Sequence, residues 1–199
     1  MTGSSADATN DTKLGGGFVA NARFNATSKA SIGLHLVAGD GTGRYGVSTL
    51  PDITVHPNGT LEPIRNAQGL FSLEFHPTPK WDLFGYAGTE YAQRTTYRNA
   101  AGVLVGYAPV TGSNAGCSTE AVPTGATGYL PGTAGCLGAT RDIAEGSAGW
   151  AYRFYNGPKG KLQLGLAYGY ITRSGWSGVG GAPKAVNNVA YTSFRYYIP

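Results

Sequence analysis

Along residues 160–175, GKLQLGLAYGYITRSG, a large side chain falls at every second position: Leu162, Leu164, Leu166, Tyr168 and Tyr170 alternate with Gln163, Gly165, Ala167, Gly169 and Ile171. Successive side chains of a β-strand point to opposite faces, so the pattern predicts a strand with one large apolar face and one small or mixed face. The same period-two template predicts seven strands, at 16–25, 30–39, 67–76, 80–94, 143–155, 161–173 and 187–198. Phased by their large apolar residues, the strands place Phe18, Ala20, Ala22 and Phe24 on one face of the first, and Ile32, Leu34, Leu36 and Ala38 on that of the second. Further along, the same face carries Phe71, Leu73 and Phe75, then Trp81, Leu83, Ala87 and Tyr91, then Ala148, Trp150, Tyr152 and Phe154. In the last strand it carries Ala190, Thr192, Phe194 and Tyr196.

The opposite phase collects nearly every strand charge: Arg23, Glu74, Asp82, Glu90, Arg94, Glu145, Arg153, Lys161, Arg173 and Arg195, with His35 and His76. Apolar residues alone set the phase, so this segregation of charge tests it independently. In a soluble sandwich the large apolar face is the core, and the other face carries enough charge to keep the protein in water. The second face of 160–175 is nearly bare of charge, which raises the question of what solvent the strands meet.

Connection lengths add a second regularity. The joins NATSKA (25–30), PTP (77–79) and NGPKG (156–160) are short, whereas 40–66, 95–142 and 174–186 are long and rich in Gly, Thr and Pro. Strict alternation of tight turns and long loops is what a transmembrane β-barrel shows, with the long loops outside. The strand lengths match the roughly 9–11 residues that a tilted strand needs to cross a bilayer.

Composition narrows the picture. Charged residues are 13% of the 199, about half the usual share, while Gly reaches 32 and Tyr 13, which suits β-structure with long loops. No run approaches the roughly 18 apolar residues of a membrane helix, so spanning by helices is excluded and spanning by half-polar strands is not. The net charge of +4 comes from scattered Lys and Arg without a basic run or interleaved aromatics, so no nucleic-acid partner is expected. The opening MTGSSADATNDTK has no apolar segment and no small-residue cleavage site. Export encoded upstream, or a chain that is part of a longer one, is the expectation.

At VAGDGTGRYG (37–46), which closes a strand and opens a long loop, the chain resembles the DcaP-like trimeric porins of bacterial outer membranes, whose corresponding element reads GDGIGRY. The tail GWAYRFYNGPKGKLQLGLAYGYITRSGWSG…VNNVAYTSFRYYIP is similar to the last three strands of large bacterial porins. The resemblance spans residues 15–199. It implies the outer membrane of a Gram-negative-type bacterium, contact with outer-membrane lipid, and a homotrimer. Such porins usually end on an aromatic residue, whereas this chain ends Tyr196-Tyr197-Ile198-Pro199. Large porins also end in the periplasm, so the last strand runs downward; so then does the first, which places residues 1–14 outside the cell. Seven strands with that start are therefore expected to be the C-terminal part of a larger barrel of about 16 strands.

Other motifs carry less. GDGTG lacks the Lys-Ser/Thr pair and the helix of a phosphate loop, so it reads as a turn with positive φ at Gly41 and Gly43. Cys117 and Cys136 lack CxxC spacing and His ligands; in an exported chain they are expected to form one disulfide, worth roughly 3 kcal/mol by loop closure. His35, His56 and His76 fall on two strands and a loop, and no Ser or Asp stands in a nucleophile motif.

The expectation is therefore an all-β, antiparallel transmembrane barrel segment, with a flexible polar segment at 1–14 and the barrel portion at 15–199. Its function would be that of a porin, not an enzyme: passive diffusion of small hydrophilic solutes with a lean toward anions and with no cofactor. Arg23, His35, Glu74, Asp82, Glu90, Arg94, Glu145, Arg153, Arg173 and Arg195 would line the pore. The alternatives are a non-transporting outer-membrane barrel (adhesin or structural protein), a soluble β-sandwich binding module, and a barrel enzyme whose His and Ser or Asp converge at one rim.

Overall fold

The computed structural model describes residues 11–114, 116–117, 136 and 138–198. Residues 1–10 of the polar segment, most of the loop around the cysteines, and Pro199 therefore lie outside the described residues. Seven long strands form one sheet: β1 (Gly16–Thr27), β2 (Ala30–Asp40), β5 (Arg65–Thr78), β6 (Trp81–Ala92), β9 (Thr140–Gly157), β10 (Gly160–Gly175) and β11 (Lys184–Tyr197). Two short hairpins, β3 (Ile53–Val55) with β4 (Leu61–Pro63) and β7 (Thr95–Arg98) with β8 (Leu104–Tyr107), occupy the first and second long connections. The main sheet is an antiparallel meander in the order β1-β2-β5-β6-β9-β10-β11. It is open: β1 and β11 are its two edges. Among the described residues no helix is long and apolar enough to cross a membrane.

All seven expected strands form, each within a few residues of its expected bounds. The correction lies at the end of β6, which stops at Ala92 where the pattern predicted a strand to residue 94. Arg94 continues the alternating phase on paper, but it belongs to the connection beyond the strand. The short joins become three tight turns at one end of the sheet, and all three long connections leave from the other.

The registry confirms the two faces. Glu74 pairs with Ser31 and Phe84, Glu90 with Gln68 and Ile143, and Arg153 and Arg195 both flank Gln163. One face thus gathers the charged phase, and the other gathers Phe24 with Ile32, Phe75 with Leu83, and Leu164 with Phe194. A bulge in β9 opposite Leu162 and Gln163 inserts one extra residue, and the Phe154 ring lies 6.0 Å from that of Phe194.

Which face is covered is the reverse of a soluble protein. In β10, Gln163, Gly165, Ala167 and Gly169 are buried, while Leu164, Leu166, Tyr168 and Tyr170 are exposed. Across the sheet most of the large apolar residues of that face are exposed, from Trp81 and Leu83 at 37% in the middle to Phe18 at 69% on the edge, while Ile32, Tyr91, Trp150, Tyr152 and Leu162 are half-buried. No second layer packs on them among the described residues. The buried apolar cluster, Leu50, Ile64 and Ala92 with Tyr107 and Ile143 against it, sits at the long-loop end of the sheet. The face that carries the small residues of β10 is concave: residues as distant in the sheet as His35 of β2 and Tyr191 of β11 line one cavity of about 430 Å³.

Close backbone approach explains the glycines around GDGTGRYG. Gly41 has the expected positive φ, 74°. Gly43 does not; it is required because a Cβ there would overlap the Leu50 carbonyl. A Cβ on Gly39 would run into the Gly16 carbonyl and the Gly17 backbone on β1. Gly39→Ala should therefore cost about 1–3 kcal/mol by forcing the β1–β2 backbones apart, whereas Gly16→Ala, which meets nothing within 4 Å, should be neutral. Denaturant unfolding of the two variants checks this.

Candidate functional site

The concave face is floored by small residues, Gly149, Gly165, Ala167 and Gly169, because a curled sheet crowds the side chains on its inner surface. Longer polar side chains rise between them and sort into two groups. The first braces the wall. Arg23 donates to Glu74 at 2.6 Å and to Ser31 Oγ at 3.0 Å, tying β1, β2 and β5. Asp82 accepts from the Arg153 guanidinium and pairs with His76 Nδ1 at 2.7 Å, while Arg153 also donates to the Pro79 carbonyl at 2.8 Å. His35 pairs with Asn21 across β1 and β2. Arg173 donates to Thr140 Oγ1 at the end of β9. Arg23 thus reaches over β2 to join β1 to β5, while the other ties join strands that already pair through backbone.

The second group has no such partner. Arg195 and Glu145 make no hydrogen bond or ion pair among the described residues, although both project from the concave face. Arg195 lines a cavity of about 420 Å³ with Gln163, Ser193, Tyr191 and Tyr197, across from Glu74 and Asp82. Glu145 lines the 430 Å³ cavity nearer the long loops. Of the three neighbouring arginines Arg153, Arg173 and Arg195, only Arg195 is left uncommitted.

Arg94 belongs to neither group. Outside the strand, its guanidinium lies 4.8 Å from the Trp176 ring centroid and donates to the Ser177 carbonyl at 2.5 Å. It therefore fastens the connection after β6 to the one after β10. Several further contacts interlock the loops at this rim. Trp176 Nε1 donates to the Ala92 carbonyl at 3.0 Å, and Asn114 Nδ2 donates to the Trp176 and Gly181 carbonyls, each at 2.8 Å. The His56 and Tyr97 rings stack at 3.7 Å between the two small hairpins, and Asp11 accepts from the Leu61 amide at 2.7 Å, tying the N-terminal segment in. Cys117 and Cys136 form a disulfide with Cα atoms 4.6 Å apart.

Sequence reasoning placed Glu90 on the concave face but missed what it holds. Its carboxylate accepts from the Val47 amide at 2.7 Å and from the Ser48 amide at 3.1 Å, drawing the connection after β2 onto the sheet. The partners lie some forty residues away in sequence, so no local pattern reports them. Among the described residues no three His, Cys, Asp or Glu side chains come together in a metal-binding group. No protein-family model, curated protein or solved structure matches the chain.

One titration probes the rim. Burial pushes the Tyr107 hydroxyl from 10 up to about 12 against the opposing pull of Arg173, and that hydroxyl donates to the Thr140 carbonyl. A folded pKa above the unfolded value, for a group that becomes charged on losing its proton, means stability present below pH 10 and lost as pH rises toward 12. Tyr107→Phe should flatten that part of the alkaline unfolding profile relative to the parent protein, read as the difference between their denaturation midpoints at each pH.

Proposed function

We propose that this chain is a segment of a transmembrane β-barrel of the outer-membrane porin type, passing small hydrophilic solutes along its concave face. The observation that carries the reading is the course of the apolar band across the sheet. On β1 the band runs from Phe18 to Phe24 and centres on Asn21; on β10 it runs from Leu162 to Tyr170 and centres on Leu166; on β11 it runs from Ala190 to Tyr196 and centres on Ser193. Paired residues carry Asn21 to His35, Leu70, Gly88, Glu145, Ile171 and Asn187. The band has thus slid five residues along the strands by β10 and six by β11.

At about 3.3 Å per residue and about 4.8 Å per strand, that slide corresponds to strands inclined by about 35° to the normal of the band. The inclination of strands in outer-membrane barrels is roughly 35–45°. A flat apolar layer crossing an inclined sheet is what a bilayer selects, since each strand must be apolar over the same depth and not over the same register. Aromatic residues mark both borders: Phe75, Trp81, Tyr152 and Tyr196 toward the tight turns, and Phe18, Tyr91 and Tyr170 toward the loops. Such girdles favour the interface between hydrocarbon and water.

Closure follows from strand direction. Each neighbouring pair is antiparallel, so the first and last of seven strands run the same way. An all-antiparallel barrel therefore needs an odd number of further strands between the β11 and β1 edges. Two copies joined head to tail would leave parallel seams. Joined edge to like edge, they would put the long loops on opposite sides of the membrane. Further strands of one longer barrel meet both requirements and satisfy the open edges, which hydrocarbon would not tolerate.

Lipid contact is tested with the protein refolded in vesicles. Trp81 and Trp150 stand on the apolar face, so lipids brominated along their chains should quench most of the tryptophan fluorescence; emission indifferent to bromination would overturn the reading. Leu166→Arg at the middle of the band should cost about 2–4 kcal/mol of folding into the bilayer, whereas Asn187→Arg on the concave face should cost little. In planar bilayers Arg195→Glu should shift the reversal potential toward cations, and the shift should shrink in 1 M salt, where the screening length is about 3 Å.

A further inference from the structure

We propose that residues 42–50 form a strap latched over the concave face by the Glu90 carboxylate, and that the strap swings away when the latch is broken. Its consequence, control of the width of the aqueous path, rests on the porin reading; the latch itself does not.

The strap leaves β2 at Gly41, turns through a short 3-10 turn at Gly43–Tyr45, and returns toward the rim at Leu50. Its rim end is firmly held. Leu50 is buried against Ile64 and Ala92, and Asp52 accepts from both the backbone amide and the guanidinium of Arg44. Gln68 donates to the Thr42 and Gly43 carbonyls. The crest, Tyr45 to Ser48, reaches into the concavity, where it shares a cavity with Tyr86, Glu145 and Tyr191 of the facing strands. There the hold on the sheet is a single side chain: the Tyr45 and Gly46 amides turn back to the Thr42 and Gly43 carbonyls within the strap, while those of Val47 and Ser48 donate to Glu90. Val47 itself is 98% exposed, so its side chain adds no apolar contact to the latch.

Two details set the crest against its latch. Gly46 lies so close that a Cβ would overlap Glu90 Oε2, so the crest rests directly on the carboxylate. Thr49 sits at φ 47°, a region that a β-branched residue rarely enters, and such a conformation persists only while its neighbours impose it. Loss of the charge-assisted bonds at Val47 and Ser48 removes the inward pull and lets Thr49 relax, with the rim end as the hinge.

The test is residue-resolved amide hydrogen exchange on the protein refolded in detergent, at one pH. Glu90→Ala should speed exchange at Val47 and Ser48 by about 10- to 100-fold, with Glu90→Gln intermediate. Amides within the sheet, such as Leu36 and Leu166, should keep their rates, as should the crest in Glu145→Gln. Gly46→Ala, which lifts the crest while leaving the carboxylate in place, should speed the same two amides. Unchanged exchange at Val47 and Ser48 in Glu90→Ala overturns the latch, and so does equal acceleration throughout the sheet. The same variants in planar bilayers read the consequence separately. Larger single-channel conductance supports the strap as a control of width, and a channel of unchanged conductance beside accelerated exchange overturns it. Absence of any channel in the parent protein counts against the porin reading, and exchange then decides the latch alone.

Discussion

The described structure turns on one constraint: a single sheet carries a large apolar face and a polar one, and among the described residues no second layer packs on the apolar face. The alternation of Leu164, Leu166, Tyr168 and Tyr170 with Gln163, Gly165, Ala167 and Gly169 is that constraint in its purest form. Large apolar side chains stand outward and exposed, and small ones are buried inward by the curl of the sheet. Since the hydrophobic effect is proportional to apolar area withdrawn from water, such a sheet gains little from folding in water alone. What holds it together internally is the hydrogen-bonded ladder and the side-chain ties laid across it, Arg23 with Glu74 and Arg153 with Asp82.

The apolar core that a protein of this length would ordinarily place at its centre is displaced to the rim. Leu50, Ile64 and Ala92 gather where the long connections meet, and Trp176, Asn114 and Arg94 bind those connections to one another. The molecule is thus stiffest in two places for two reasons. The sheet is stiff through its ladder, and the rim through packing and polar contacts between loops. The segment between them, from Thr42 to Leu50, is held at both of its ends near the rim and at its crest by the Glu90 carboxylate of the sheet. A charge on the concave face can therefore do one of three things: brace neighbouring strands, hold a loop, or face open water.

The long strands were legible because a period of two repeated over five or more residues leaves few alternatives, and because charge fell on the face that the apolar residues had left free. The two small hairpins were not legible. Three or four residues cannot establish a period, and Pro63, with no N–H to donate, argues against a central strand. Arg94 shows the limit of phase: the alternation continued past Ala92, but the backbone left the ladder to reach Trp176. The sorting of Arg153, Arg173 and Arg195 into two committed side chains and one free one was equally hidden, since it depends on which strand lies beside which. Glycine roles were half legible. A turn glycine such as Gly41 announces itself, while Gly43 and Gly46 are glycine because of carbonyl and carboxylate atoms brought up from elsewhere in the chain.

The bond between Cys117 and Cys136 has a consequence for how the longest connection can vary. It joins the chain across nineteen positions, at a place where Asn114 and Ala139 already tie both ends to the rim through Trp176. Whatever lies between the two sulfurs is topologically a side branch. A protease that nicks it leaves one covalent molecule, and the fragments part only when a reductant is added. The separation of the two stem residues, 4.6 Å between Cα atoms, is set by the bond and not by the length of the segment it encloses. Evolution and the protein engineer thus meet the same allowance: a site where sequence can be rewritten without renegotiating the sheet.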